Sequence, residues 1–229
     1  MLVQKGLVSS RSQAESWIGL RKVTVDGRIA TKSGLFVRQD ADVRLTAQEQ
    51  YVSRAGLKLA SVANLLGIDF GGKTVLDVGS STGGFTDYAL QHGASKVIAV
   101  DVGTNQLHPS LHNDKRIELH EKTDIRDFAT DTPIDIVVID VSFISLREIL
   151  PAVTKIAPRA VVVAMVKPQF EAGRDQVNKG VIKNDAVRRQ ILRDFEIWAK
   201  SLFVILEKRD SEVAGSKGNR ERFYLLKIS

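Results

Sequence analysis

From residue 74 onward the chain is marked by four short runs of consecutive apolar residues: 74–77, 97–101, 134–140 and 160–166. Each stops on, or directly before, a charged residue: Asp77, Asp101, Asp140 and Lys167. Unbroken apolar runs, rather than alternating ones, predict strands buried on both faces of a mainly parallel sheet. Helical stretches over 84–92, 146–156 and 184–201 separate them. This alternation predicts an α/β, doubly wound domain, in which ligands sit beyond the C-terminal ends of the strands. The first 46 residues read differently. Ser10 and Gln13 form a capping box, and Ala14, Trp17 and Ile18 give the following short helix one apolar face. Val23-Thr24-Val25 alternates, Asp26-Gly27 predicts a type I′ turn, and residues 28–30 return as a strand. Another strand is expected around residues 43–45. The pattern therefore divides the chain into a small α+β unit, 1–46, and a larger α/β unit, 47–229.

Composition alters this picture in two places. With 43% hydrophobic and 26% charged residues the chain can bury an ordinary core. It has no cysteine, which excludes disulfides, thiolate nucleophiles and Cys-ligated metals. Its longest purely apolar run, 160–166, is far below the roughly 18–20 residues that cross a bilayer, and no apolar signal core opens the sequence. A cytoplasmic protein without membrane contact is expected. The formal net charge of +6 is mild, but it is unevenly placed. Residues 1–46 hold Lys5, Arg11, Arg21, Lys22, Arg28, Lys32, Arg38 and Arg44 against four acids. Most of the surplus thus lies in the small unit, as expected if that unit touches phosphate.

Candidate chemistry concentrates at the strand ends. Asp77-Val78-Gly79-Ser80-Ser81-Thr82-Gly83-Gly84-Phe85 is a glycine-rich turn between a strand and a helix. It lacks the dinucleotide fingerprint, which requires glycine where Ser81 stands, and it lacks the Gly-Lys-Ser/Thr of a P-loop. An acid opening the turn suits a ligand with a cationic amino-acid end rather than a pyrophosphate. Asp101, ending the next strand, can accept both hydroxyls of a ribose. Asp124, in Lys122-Thr123-Asp124-Ile125-Arg126, is placed to cap an adenine amino group. The four histidines show no metal-ligand spacing: His108 and His112 are four apart but Pro109 intervenes. No metal is expected.

A glycine-rich turn, a ribose acid and an adenine acid on three successive loops resemble the S-adenosylmethionine methyltransferase fold. The position after the fourth strand reads Ile139-Asp140-Val141-Ser142-Phe143, without the proline pair usual in base N-methylation, and C5 methylation through cysteine is impossible. A hydroxyl or another simple nucleophile remains. Four polar residues stand at the rim: Lys58, on the helix entering the domain; Asp140; Lys167, in Val166-Lys167-Pro168-Gln169-Phe170-Glu171; and Glu221, before the last strand. Together these segments resemble the ribose 2′-O-methyltransferases of the FtsJ type, and more closely their TlyA branch, historically called haemolysin A. That resemblance implies a catalytic tetrad of Lys58, Asp140, Lys167 and Glu221. It also implies cofactor contacts from Asp77, Gly79, Gly83, Gly84, Phe85, Asp101 and Asp124, with ribosomal RNA or ribosomal subunits as the partner.

Residues 6–14, 23–27 and 32–34 resemble the alpha-L RNA-binding domain found in ribosomal small-subunit protein four and in RNA-modifying enzymes. This implies RNA contacts from Ser10, Arg11, Ser12, Arg21 and Lys22. The family carries a longer helix before Gly6, so a domain trimmed at its start is expected, and Lys22 replaces a usual glycine. Two readings of Lys167 stay open. As a base it must be neutral, yet an unperturbed lysine is neutral in only about 0.04% of molecules at pH 7; otherwise it orients the hydroxyl and water takes the proton late. An RNA-binding protein with a silent methyltransferase domain is the alternative function. A pore-forming haemolysin is disfavoured, since buried α/β runs are not the amphipathic strands of a membrane barrel.

Overall fold

The computed structural model describes residues 1–8, 11–19, 21–46, 51–173, 180–215 and 218–229. Helix α1 (Arg11–Gly19) precedes a small antiparallel sheet of β1 (Val23–Val25), β2 (Arg28–Ile29) and β3 (Val43–Leu45), in the order β2-β1-β3. The Asp26-Gly27 hairpin forms as expected. Both residues take left-handed φ values, +49° and +76°, and Val25 pairs with Arg28 across the turn. Ala14 and Trp17 are buried, so the apolar face of α1 points inward. The capping box falls on Ser10 and on the side chain of Gln13, which lie outside the described residues.

The larger unit contains α2 (Arg54–Ala63), β4 (Thr74–Val78), α3 (Gly84–Gln91), β5 (Lys96–Val100), β6 (Ile117–His120), β7 (Ile136–Ile139) and α4 (Leu146–Ile156). It continues through β8 (Val161–Val166), α5 (Pro168–Glu171), α6 (Asp185–Ala199), β9 (Phe203–Asp210) and β10 (Arg222–Ile228). The predicted elements appear with ends moved by a residue or two, the usual fraying of boundaries. Seven strands form one sheet in the order β6-β5-β4-β7-β8-β10-β9. The first five are parallel; β10 runs antiparallel to both β8 and β9. Chain order reverses between β4 and β7, the topological switch point where such sheets open a crevice.

Alternation along the central strands divides their apolar residues between two cores. Val75, Val97, Val138, Val163, Met165 and Phe223 belong to a cluster with Leu57, Leu59 and Val62 of α2 and Phe85, Tyr88 and Ala89 of α3. Trp17, Val23 and Val43 of the small unit join the same cluster, and α1 packs on α2. The opposite face, carrying Leu76, Val78, Ile98, Ile139, Val162, Tyr224 and Leu226, is covered by Ile149, Leu150 and Val153 of α4 and Leu192 and Phe195 of α6. A period of two then fixes where the polar strand-end residues point. Asp77 follows Val75, Asp101 follows Val97 by two steps, Asp140 follows Val138, Lys167 follows Met165, and Glu221 precedes Phe223. All five share the α2/α3 face.

Candidate functional site

The turn after β4 is shaped for close approach. Gly79 has φ +81°, and a Cβ there would lie 2.9 Å from the Asp140 carbonyl oxygen, so only glycine lets the ends of β4 and β7 come together. Gly83, at φ +85°, is the residue on which α3 starts. The crossing of α2 and α3 is equally tight. A Cβ on Gly56 would meet Tyr51 Cβ at 2.6 Å and the Gly84 carbonyl at 2.9 Å. Gly84 and Phe85 therefore serve as packing residues as well as turn residues, with Phe85 buried against Phe223.

Beyond the turn lies a cleft of about 140 Å³ lined by Ala55, Asp77, Ser80, Thr82, Asp140 and Lys167, among others. A whole small-molecule pocket measures roughly 300–1,000 Å³, so this cleft matches one end of a ligand. Asp77 is completely buried. Its Oδ2 accepts the Thr86 hydroxyl at 2.6 Å, while Oδ1 has no hydrogen-bond partner in the protein. Burial pushes its carboxyl up to about 7, opposed by Thr86 and reinforced by the Asp140 and Asp101 charges. The buried Ser80 hydroxyl is also without a partner. A buried carboxylate oxygen and a buried hydroxyl without protein partners, at one turn, suit a cationic ammonium with a polar neighbour.

The other two expected cofactor acids are already engaged. Asp101 accepts the Ser81 N–H at 2.8 Å through Oδ2 and the Gly103 N–H at 2.6 Å through Oδ1. A carboxylate has about four acceptor positions, so Asp101 keeps half of them. Asp124 is held by Arg126, with Nε on Oδ1 at 3.0 Å and a terminal guanidinium nitrogen on Oδ2 at 2.6 Å. That pairing holds the Asp124 carboxyl below the usual carboxylate range. Neither residue lines the Asp77 cleft.

The rim residues are brought together as two ion pairs. Lys167 Nζ lies 2.5 Å from Asp140 Oδ1 and donates to Ser142 Oγ at 2.7 Å. Lys58 Nζ lies 2.5 Å from Glu221 Oε2, with both side chains under one-tenth exposed. The strand register joins the pairs. Arg222 stands opposite Val166 in the β8/β10 ladder, so one step further places Glu221 opposite Lys167. Burying charges at this cost requires that each have its partner, and here each lysine has an acid.

Several neighbours of these residues carry no sequence signal of their own. Thr86 and Ser142 supply hydroxyls to Asp77 and Lys167, and only the three-dimensional adjacency of loops reveals it. Phe143 follows Ser142 with φ +66° and is 91% exposed, its ring 5.2 Å from that of Phe170. An exposed phenylalanine in a left-handed conformation beside a buried charge cluster is a costly arrangement.

In the small unit Arg11, Arg21 and Lys22 are exposed, as are Arg28 and Lys32, and no acid among the described residues pairs with these five. Ser10 and the side chain of Ser12 lie outside the described residues. Lys5 instead donates to the Ala41 carbonyl at 2.9 Å, and Arg44 pairs with Asp42. Among the described residues no group of three or more His, Asp or Glu is arranged to hold a metal. Nor is any helix long and apolar enough to cross a membrane.

Comparison with known proteins adds an independent line. The FtsJ-like methyltransferase family model matches residues 51–228, and the S4 domain model matches residues 1–43. The chain is 41% identical over 179 residues to a Campylobacter jejuni protein named 23S rRNA (cytidine-2′-O)-methyltransferase TlyA, covering 77% of this chain and 70% of that one. It is 36% identical over 243 residues to the Mycobacterium tuberculosis 16S/23S rRNA (cytidine-2′-O)-methyltransferase TlyA, covering 99% and 87%. A solved candidate hemolysin from Streptococcus thermophilus superposes with a TM-score of 0.76 at 35% identity, covering all of this chain and 86% of that one.

Proposed function

The chain belongs to the FtsJ-like methyltransferase family, with an S4 domain at its start, and from that premise we propose that it transfers a methyl group from S-adenosylmethionine to a ribose 2′-hydroxyl of ribosomal RNA. Residues 1–46 hold the RNA, residues 47–229 perform the transfer, and the site of action is the cytoplasm. The observation that carries this reading is the pair of buried lysine–carboxylate contacts, Lys167–Asp140 and Lys58–Glu221, on one face of the sheet beside the Asp77 cleft.

The residues present fit the cofactor. The unpartnered Asp77 Oδ1 and Ser80 hydroxyl, in a cleft sized for one end of a ligand, suit its amino-acid end. Gly79 and Gly83 keep the turn open for it, Gly84 and Phe85 hold α3 in place behind it, and Asp101 retains acceptors for a ribose. Asp124 offers an adenine only the acceptor positions that Arg126 leaves. Bound there, S-adenosylmethionine supplies an already activated methyl group, so the protein's task is orientation more than activation.

The tetrad performs that orientation. Lys167 Nζ already donates to Ser142 and pairs with Asp140, which supports the orienting reading: its remaining N–H fixes the ribose 2′-oxygen, and the hydroxyl proton leaves late to water. Lys58 and Glu221 frame the ribose from the α2 side. Phe143, exposed next to Ser142, offers a stacking face to an unpaired base, the form in which RNA bases are usually read.

The test is to incubate the full chain with labelled S-adenosylmethionine and bacterial ribosomal subunits, then map 2′-O-methylated positions. Lys167→Ala should lower methyl transfer by about 100-fold or more while cofactor affinity, measured by calorimetry, stays within about threefold. Full activity in Lys167→Ala rejects the tetrad. Absence of cofactor binding to the parent chain would instead favour an RNA-binding protein with a silent domain.

A further inference from the structure

One more buried acid fastens the loops that carry the lysine–carboxylate pair. Glu171 ends α5, the short helix directly after Lys167, and its side chain is 1% exposed. Its Oε1 accepts the Leu146 N–H at 2.7 Å, and its Oε2 accepts the Ser145 hydroxyl at 2.6 Å. Ser145 is the N-cap of α4, its own Oγ accepting the Arg147 N–H at 3.1 Å, and Leu146 is the first helical residue. The first N–H groups of a helix have no partner within it. Glu171 supplies one from a different loop, and a carboxylate is favoured there by the helix dipole. Donors from Ser145 and Leu146 oppose the burial that pushes its carboxyl above the ordinary range.

The β7–α4 loop holds Asp140, Ser142 and Phe143; the segment after β8 holds Lys167, Phe170 and Glu171. These two stretches touch at three places. Lys167 meets Asp140 and Ser142 at one end, the Phe143 and Phe170 rings meet in the middle, and Glu171 meets Ser145 and Leu146 at the other end. The first contact involves groups that must also serve a substrate. The last involves none, so it can hold the loops in register while the first is rearranged.

We propose that Glu171 is a positioning residue for methyl transfer, its buried carboxylate gripping the start of α4 and thereby setting where Asp140, Ser142 and Phe143 stand relative to Lys167. This rests on the methyl-transfer reading and adds to it a residue that touches neither cofactor nor RNA. A cap that merely stabilised α4 would lower the melting temperature and leave turnover of the folded enzyme unchanged.

The test uses Glu171→Ala and Glu171→Gln in the full chain, with two readouts. In Glu171→Ala, amide hydrogen exchange over residues 141–147 should rise by about tenfold or more while the turn at 79–83 is unaffected. On ribosomal subunits with labelled S-adenosylmethionine, kcat should fall about tenfold while the KM for RNA and cofactor affinity stay within about twofold. Glu171→Gln keeps one acceptor oxygen and should fall between the parent and Glu171→Ala; it carries both comparisons if Glu171→Ala does not fold. Unchanged exchange over 141–147, or kcat within about twofold of the parent, overturns the proposal. If the parent transfers no methyl group to subunits, the methyl-transfer reading fails, and the exchange comparison still decides whether Glu171 grips the loop.

Discussion

On the proposed function, Asp77 is buried before the cofactor arrives and must be charged once it has. Burial lifts its carboxyl to about 7, whereas an unfolded aspartate titrates near 3.9. Between about pH 4 and 7 the folded chain therefore holds a proton that the unfolded chain has released. The stability that this proton confers shrinks as pH rises through that window, by at most about 1.4 kcal/mol per unit, and is gone above it. Asp77→Asn removes the burden, so the cofactor-free variant should melt higher than the parent at pH 8, with the difference shrinking as pH falls from 7 towards 4. A cationic ligand needs the ionised carboxylate, so cofactor affinity of the parent should weaken below pH 7 by up to about tenfold per unit. In Asp77→Asn the affinity should be low and flat with pH; titration calorimetry at pH 6 and pH 8 checks this, and equal pH dependence in both proteins would remove Asp77 from the cofactor's amino group. Asp77, Asp101, Asp140 and Lys167 were legible in the sequence because each terminates an unbroken apolar run. Thr86, Ser142 and Glu171 were not, because a hydroxyl or acid in a loop acquires meaning only from the loop folded beside it.

Among the elements, α2 and α3 show how a single side chain position governs a site. Glycine inside a helix costs about 1 kcal/mol against alanine, yet Gly56 lies within α2 because the backbone of Gly84 leaves no room for a Cβ. Gly56→Ala should destabilise the protein by about 1–3 kcal/mol, as overpacked contacts do. Two residues along the same helix is Lys58, so the displacement should also loosen the Lys58–Glu221 pair and reduce methyl transfer more than cofactor binding. A chemical denaturation curve and a rate measurement on the same preparation separate the two effects. The longer helices and the central strands were predictable from periodicity; β6, β9 and the four-residue α5 were not assigned. β6 is four residues of mixed polarity at one edge, without a continuous apolar stretch; β9, at the other edge, has one at 203–206 but runs on into four charged residues. The antiparallel direction of β10 is equally silent in a local pattern, since pairing direction depends on the connection rather than on the residues paired.

At the scale of the molecule, charge and chemistry are kept apart. The small unit offers exposed Arg11, Arg21, Lys22, Arg28 and Lys32, whereas the larger unit sets its rim lysines, Lys58 and Lys167, against acids. Phosphate contacts release counterions, so each cation that meets RNA steepens the salt dependence of binding. Arg28→Glu with Lys32→Glu should weaken binding to ribosomal RNA and reduce the slope of log affinity against log salt by about 1 for each lost contact, while cofactor affinity is unchanged. Filter binding over a range of salt concentrations measures this, and an unaltered slope would place the RNA elsewhere on the molecule. The direction of β10 carries a different consequence, one of timing. Lys58, Asp77, Asp140 and Lys167 are all synthesised before Glu221, and a domain generally folds as a unit. The strand that delivers Glu221 must then insert between β8 and β9, closing a contact with a helix made near the beginning. On the methyl-transfer reading, the rim that Lys58, Asp140, Lys167 and Glu221 form is therefore complete only once β10 has been made and paired.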